Sequence, residues 1–267
     1  MALPTGEEES NMDGTLPSIS PLDLAGVIGT AAAPIVVDVR SAADLAAIDR
    51  LIPGSLHRPQ DDVERLWRAL SVKRPVVVCD LSGSETSRMA VDSLRSFGAD
   101  ASYLMDGFAG WYDRGFPTRR HVGSLLDKWV TREHPKIDRI ACPWLISRFI
   151  NPLGEFIYVP PSDVLSVAQQ TGAIPYDIKG VDFGHVGDRC SFDAIMRILD
   201  IKDPALDHLA TIVRGADTSR PDLAPQCEGL LAISYGLSAN FPDDHEMLRH
   251  GMVIYDALYT WCRNRQA

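Results

Sequence analysis

The sequence predicts an α/β domain built on a parallel sheet, followed by a mainly helical, α+β domain. Two short β-branched runs, Ile-Val-Val-Asp-Val at 35–39 and Val-Val-Val at 76–78, each lead through a polar turn into a helix-like segment. Such runs suit strands covered on both faces, as in a parallel sheet. After residue 128 the pattern changes: Ile137, Ile140, Ala141, Trp144, Leu145 and Phe149 recur three and four residues apart, the spacing of one helix face. The chain has 267 residues, 45% of them apolar, which is enough for two modest cores.

Composition narrows the function classes. A formal charge of −10 and a pI near 5.1 oppose generic attraction to nucleic acid or to anionic membrane. The five cysteines, Cys79, Cys142, Cys190, Cys227 and Cys262, are scattered without a CxxC pair. Neither a disulfide framework nor a cysteine-only zinc site is signalled, and a reducing cytoplasm is the expected location. No run approaches the roughly eighteen apolar residues of a membrane helix. The opening residues also lack the basic and apolar regions of a secretory signal. Residues 1–15, rich in Gly, Glu, Ser and Asn, are expected to form a disordered tail.

The first domain is placed at 16–118. Ser41 is positioned to cap a helix running to about Asp49, Pro53-Gly54 marks a turn, and 61–70 reads as a further helix before the strand at 76–78. Asp80-Leu81-Ser82-Gly83-Ser84-Glu85 then forms a tight loop into a helix over 86–97, which Gly98 stops. A strand, a tight loop and a helix N-terminus together converge backbone N–H groups on one point, the geometry of an anion site.

Asp38-Val39-Arg40, Ile52-Pro53-Gly54, this loop, and Asp106-Gly107-Phe108-Ala109-Gly110-Trp111 with Gly115 and Pro117 together resemble the rhodanese family. The resemblance implies a loop whose first residue is a sulfur-carrying cysteine. Here Asp80 stands in that place, and Glu85 replaces the basic residue that often ends the loop. A carboxylate forms no persulfide, and its charge competes with any anion for the same donors. Cys79 lies one residue early, where strand alternation turns it into the sheet, as an inert core thiol. Residual sulfur transfer through Cys79 is the alternative. The expected role of the domain is a non-catalytic docking or regulatory unit with a protein partner.

Residues 119–127, polar and basic, are read as a linker to a second domain at 128–267. There 155–159 is strand-like, Ser162 and Gly172 bracket a helix, Ser191 is placed to cap another to Leu199, and helices follow over 203–214, 224–238 and 243–263. The string Lys136-Ile137-Asp138-Arg139-Ile140-Ala141-Cys142-Pro143-Trp144-Leu145-Ile146 is similar to the C-terminal domain of chromate-resistance proteins of the ChrB type. So are the 184–193 segment around His185 and the Val213-Arg214-Gly215-Ala216-Asp217-Thr218 run. The resemblance implies an accessory or regulatory role in chromate resistance. Relatives of this type carry another N-terminal domain, thought to bind DNA; the rhodanese-like domain in its place argues against transcriptional control.

Two kinds of site are expected in this half. Chromate is a tetrahedral dianion, and guanidinium and ammonium groups at Arg132, Lys136 and Arg139 could receive it if the segment is helical, although Pro135 places Arg132 ahead of a helix. The plainer reading is a solvated basic stripe paired with Glu133 and Asp138. His185, in a Gly-His-x-Gly turn, is the leading single residue for substrate or metal binding. A metal set of His185, Asp193, His208 and Asp217 mixes imidazole and carboxylate and suits manganese, iron or zinc, making a metal-dependent enzyme of oxidative stress, such as superoxide disposal, the alternative function. Cys142 and Cys190 are expected to be buried thiols.

Overall fold

The computed structural model describes residues 16–70, 74–123 and 126–265; the expected tail at 1–15 lies outside them. The first half is built on five parallel strands. β1 (Ser18–Ile19), β2 (Ile35–Asp38), β4 (Leu56–His57), β5 (Val76–Cys79) and β6 (Ala101–Leu104) lie in the order β1-β6-β5-β2-β4. Because strand side chains alternate, Ile35, Val37, Val76 and Val78 pack on one face against α3 (Val63–Ala69) and α4 (Glu85–Ser96). Val36, Val77 and Cys79 pack on the other with α1 (Pro21–Val27) and α5 (Gly107–Asp113). Ser41 caps α2 (Ala42–Ala47), its hydroxyl accepting from the Asp44 N–H at 3.1 Å.

The second half holds a three-stranded parallel sheet in the order β10 (Ile174–Pro175), β8 (Lys128–Arg132), β9 (Glu155–Val159). Around it stand α6 (Asp138–Phe149), α7 (Val164–Thr171), α8 (Ser191–Ile198), α9 (Pro204–Asp217), α10 (Cys227–Asn240) and α11 (Asp244–Asn264). Trp129, Trp144, Phe149, Phe192, Tyr255 and Tyr259 fill its core. Two details correct the sequence reading. Lys-Trp-Val-Thr-Arg at 128–132 pairs as a strand with β9 and β10, because Val and Thr pack well on a pleated surface. Arg132 therefore ends a strand, ahead of the helix as Pro135 implied, while Arg139 is the second residue of α6, and no single helix face carries Arg132, Lys136 and Arg139. The cap of α8 is also Cys190 rather than Ser191: its N–H donates to the Asp193 carboxylate at 3.1 Å, and the Ser191 N–H, in the first turn, has no acceptor within the helix.

The halves share a seam. Strand β7 (Arg119–Arg120) pairs antiparallel with β3 (Arg50–Leu51), so the connecting segment begins inside the first half's framework. Its Arg120 N–H donates to Leu199 O at 2.7 Å, and the Lys202 N–H returns a bond to Thr118 O at 2.9 Å. Arg50 spans the seam, 2.6 Å from an Asp200 carboxylate oxygen and 2.8 Å from the Asp200 carbonyl. Gly54, at φ +74°, donates to Phe149 O at 2.7 Å; a Cβ there would stand 2.9 Å from Arg148 O.

Candidate metal centre

The helix α6 starts from a strained residue. Ile137 has φ 37° and ψ −93°, a conformation costly for a β-branched side chain. It is held there from both sides: its N–H donates to Ser234 Oγ at 2.8 Å, and its carbonyl accepts from Tyr255 OH at 3.0 Å. The effect is to drive the next residue, Asp138, into the interior, where its side chain is 1% exposed. Asp177, also at positive φ (52°), follows β10. Asp217 closes α9, and His185 comes from the loop before α8.

These groups meet at the imidazole. His185 Nε2 stands 3.5 Å from Asp138 Oδ2, 3.3 Å from Asp177 Oδ1 and 3.1 Å from Asp217 Oδ2. Asp138, Asp177 and His185 each offer a ligand atom within 4.8 Å of the other two. Ser191 supports the cluster: its N–H donates to Asp138 Oδ2 at 2.5 Å and its Oγ donates to Asp177 Oδ1 at 3.3 Å. The remaining Asp138 oxygen, Oδ1, is buried with no hydrogen-bond partner among the described residues. An ionised carboxylate oxygen left in that state is costly unless a cation satisfies it.

The electrostatics agree. Hydrogen bonds to Asp138, Asp177 and Asp217 push the His185 imidazole up to about 12, against a smaller opposing effect of burial. Burial, with the charges of Asp217 and Asp177, pushes the Asp138 carboxyl up to about 6, although His185 pulls the other way. Burial also acts to raise Asp177, but His185, Arg132 and Arg139 outweigh it and hold this carboxyl below its ordinary value. Three carboxylates, Asp138, Asp177 and Asp217, thus converge on one imidazole, with Arg132 and Arg139 paired to Asp177. Ligands about 2.1 Å from a common metal ion stand roughly 3–3.5 Å apart, which is the spacing found around Nε2. A divalent cation fits these donors and could replace the imidazole proton.

The basic residues are already engaged. Arg132 Nη2 lies 2.9 Å from Asp177 Oδ2 and Arg139 Nε 3.2 Å from the same oxygen, while Lys136 sits 4.4 Å over the Tyr235 ring. Two guanidinium groups brace the Asp177 carboxylate instead of opening toward an anion. Of the four residues expected to bind metal, His185 and Asp217 come together. Asp193 instead accepts the N–H of the cap residue Cys190 in the first turn of α8 and pairs with Arg214 at 2.7 Å. His208 packs on Trp261, ring centroids 5.3 Å apart, because α9 turns it toward α11. Cys142 and Cys190 are buried, and burial with the nearby Asp138 charge pushes both thiols well up.

The family description "ChrB, C-terminal domain" matches residues 129–262, half of the chain. The chain belongs to that family. The "Rhodanese-like domain" description matches 21–114. Protein ChrB of Cupriavidus metallidurans is 31% identical over 187 residues, covering 68% of this chain and 55% of that protein, so the chain spans little more than half the length of that relative. Among solved structures, the Alr3790 protein from Anabaena sp. is 30% identical over 39% of this chain and 93% of its own (TM-score 0.34). A rhodanese-related protein from Thermoplasma volcanium is 25% identical over 38% and 96% (TM-score 0.33). Thiosulfate sulfurtransferase from Pseudomonas aeruginosa is 25% identical over 42% and 21% (TM-score 0.35).

In the rhodanese-like domain the anion loop is filled from within. The Asp80 carboxylate, 4% exposed, accepts from the N–H groups of Ser82 (3.0 Å), Gly83 (2.6 Å), Ser84 (3.0 Å) and Ser87 (3.1 Å), and from Ser84 Oγ at 2.5 Å. Burial opposes ionisation, but these donors together outweigh it and hold the carboxyl below its ordinary range. The Asp106-Gly107-Phe108 turn braces the loop, with Phe108 N–H donating to Asp80 O at 2.8 Å. Cys79 is fully buried in the core on the α1/α5 face, and burial pushes its thiol well up.

Within the ChrB C-terminal domain, Asp138 and Asp177 are the residues that sequence reasoning did not single out as ligands. Asp138 stood inside the most specific string of the chain, but beside two cations it read as an ion-pair partner. Asp177 carried no local signal.

Proposed function

We propose that this chain is a chromate-resistance-related protein whose ChrB C-terminal domain binds one divalent cation through Asp138, Asp177 and His185, with Asp217 beside the imidazole. Its rhodanese-like domain acts as a non-catalytic docking or regulatory unit. The chromate context rests on family membership. The metal reading rests on one observation: three carboxylates converge on His185 Nε2 while Asp138 Oδ1 is buried without a partner among the described residues. Manganese, iron and zinc all accept mixed imidazole and carboxylate donors. Reception of an oxyanion by Arg132, Lys136 and Arg139 is disfavoured, since Asp177 and Tyr235 occupy them and the neighbouring carboxylates repel anions.

Elemental analysis of the full-length protein, followed by titration of the metal-stripped chain with Mn²⁺, Fe²⁺ and Zn²⁺, tests the reading. One ion per chain is expected, with Asp138→Asn and His185→Ala each weakening it at least tenfold. Stoichiometric binding that neither variant disturbs, or no binding of any of the three, rejects it. The exposure of His185, 41%, favours a second reading, a metal-dependent enzyme, because catalytic sites keep a face of the ion open to small molecules. Superoxide disposal by the manganese- or iron-loaded protein, lost in His185→Ala, is its assay.

A further inference from the structure

A ligand-sized cleft lies outside the metal cluster and stands whether or not that cluster holds an ion. It is about 650 Å³ in volume and runs between α8 and α9, from Val186, next to His185, to Ile201 and Lys202 at the seam. A cleft of this size suits a small organic molecule rather than a single ion. Its floor is apolar, formed by Ala194 and Met196 of α8, Ile201 beyond it and Ala210 of α9. No aromatic side chain lines it, so a flat ring finds nothing there to stack on.

Charge gathers at the two ends of the cleft. At one, Asp193 is shared by two guanidinium groups, Arg214 at 2.7 Å and Arg189 at 3.4 Å. At the other, Asp200 is shared by Lys202 at 2.6 Å, Arg50 at 2.6 Å and Arg120 at 3.9 Å. Arg197, exposed near the end of α8, has no partner among the described residues. Asp207, on the α9 wall, is the remaining carboxylate of the cleft, and Lys202 acts on it. Six cations thus meet three carboxylates, a local positive excess in a chain whose overall charge is −10. The cations that can move are within reach of a ligand: the Arg189 and Lys202 side chains are 59% and 68% exposed, on stems long enough to turn into the cleft. Guanidinium and ammonium groups receive carboxylates, and the floor between them receives methylenes. The two ends lie one to two turns of α8 apart, roughly 6–11 Å. We infer that this cleft binds an aliphatic dicarboxylate of the length of adipate or suberate, one carboxylate on Arg189 and the other between Arg197 and Lys202. Bound there, it would touch the His185 loop and the seam at once.

The test is calorimetric titration of the full-length chain, without added metal, with succinate, adipate and suberate at matched ionic strength, with octanoate and sulfate as controls and thermal melts alongside. One saturable site per chain is expected, with adipate or suberate roughly tenfold tighter than succinate, octanoate or sulfate, and with a rise in melting temperature on binding. Arg197→Ala alters an exposed side chain that bonds no protein group, so it should fold normally and weaken binding roughly tenfold; Lys202→Gln should weaken it as well. Absence of saturable binding by all three dicarboxylates, no gain from succinate to the longer chains, octanoate or sulfate binding as tightly as the best of them, or unchanged affinity in both variants overturns the inference.

Discussion

The N–H of Gly83 donates to Asp80 Oδ1 at 2.6 Å, so the tight loop of the rhodanese-like domain encloses an anion that belongs to the chain itself. Thiosulfate cyanolysis by the full-length protein should stay at the uncatalysed rate, and Cys79→Ser should leave it there, because the thiol is shut inside the α1/α5 core. A Cys79-dependent turnover would contradict the assignment.

Removing that charge should cost stability. Asp80→Asn keeps the shape but offers an NH₂ group to a ring of donors, leaving some N–H groups unmet. The expected loss is about 1–3 kcal/mol in urea denaturation. A variant as stable as the parent would show that the ring needs no anion.

The same group sets a pH dependence. Its folded-state value lies below its ordinary value of 3.8, so the stabilisation is present above 3.8 and disappears as pH falls through the depressed folded value. The stability difference between the parent and Asp80→Asn should therefore be constant at neutral pH and shrink below 3.8, as read from denaturation midpoints across an acid series. A difference that grows on acidification has the wrong sign for this account.

Tyr255 is predicted to position a metal ligand without touching the metal. Its hydroxyl holds the carbonyl of strained Ile137, next to Asp138. Tyr255→Phe should lower Mn²⁺ or Zn²⁺ affinity about tenfold while leaving one site per chain, and Ser234→Ala, which releases the Ile137 N–H, should act in the same direction. Equal affinities in parent and variants would mean that Asp138 is placed by the Ser191 N–H alone.

At the seam, Gly54→Ala should destabilise by about 1–3 kcal/mol, combining a left-handed backbone penalty with the approach to Arg148 O. Arg50→Ala, which removes the link to Asp200, should cost a similar amount. Both are read from chemical denaturation followed by near- and far-ultraviolet circular dichroism, with the two signals moving together.

Much of the first half could be read from the residues in order. Alternation along 76–79 places Cys79 in the core, and the strand, loop and helix punctuation places Asp80 among N–H donors, because both depend on neighbours in sequence. The second half was harder for a physical reason. Asp138 and Asp177 come from distant segments, and what aims them, positive φ at Ile137 and at Asp177 itself, leaves no mark in an Ile or an Asp. At 128–139 two signals competed: β-branched residues favoured a strand, while Arg132, Lys136 and Arg139, spaced four and three apart, imitated a helix face. The strand prevailed because β9 and β10 flank it on both edges.

The antiparallel pairing of Arg119–Arg120 with Arg50–Leu51 stitches the opening of the second unit into the body of the first. Dividing the gene at residue 118 would leave β3 with a bare edge, and the fragment beginning at 128 would lose the partners of Leu199 and Lys202. The two units are better regarded as one melting body, in which occupancy of a pocket in either part is felt as resistance to unfolding in the other.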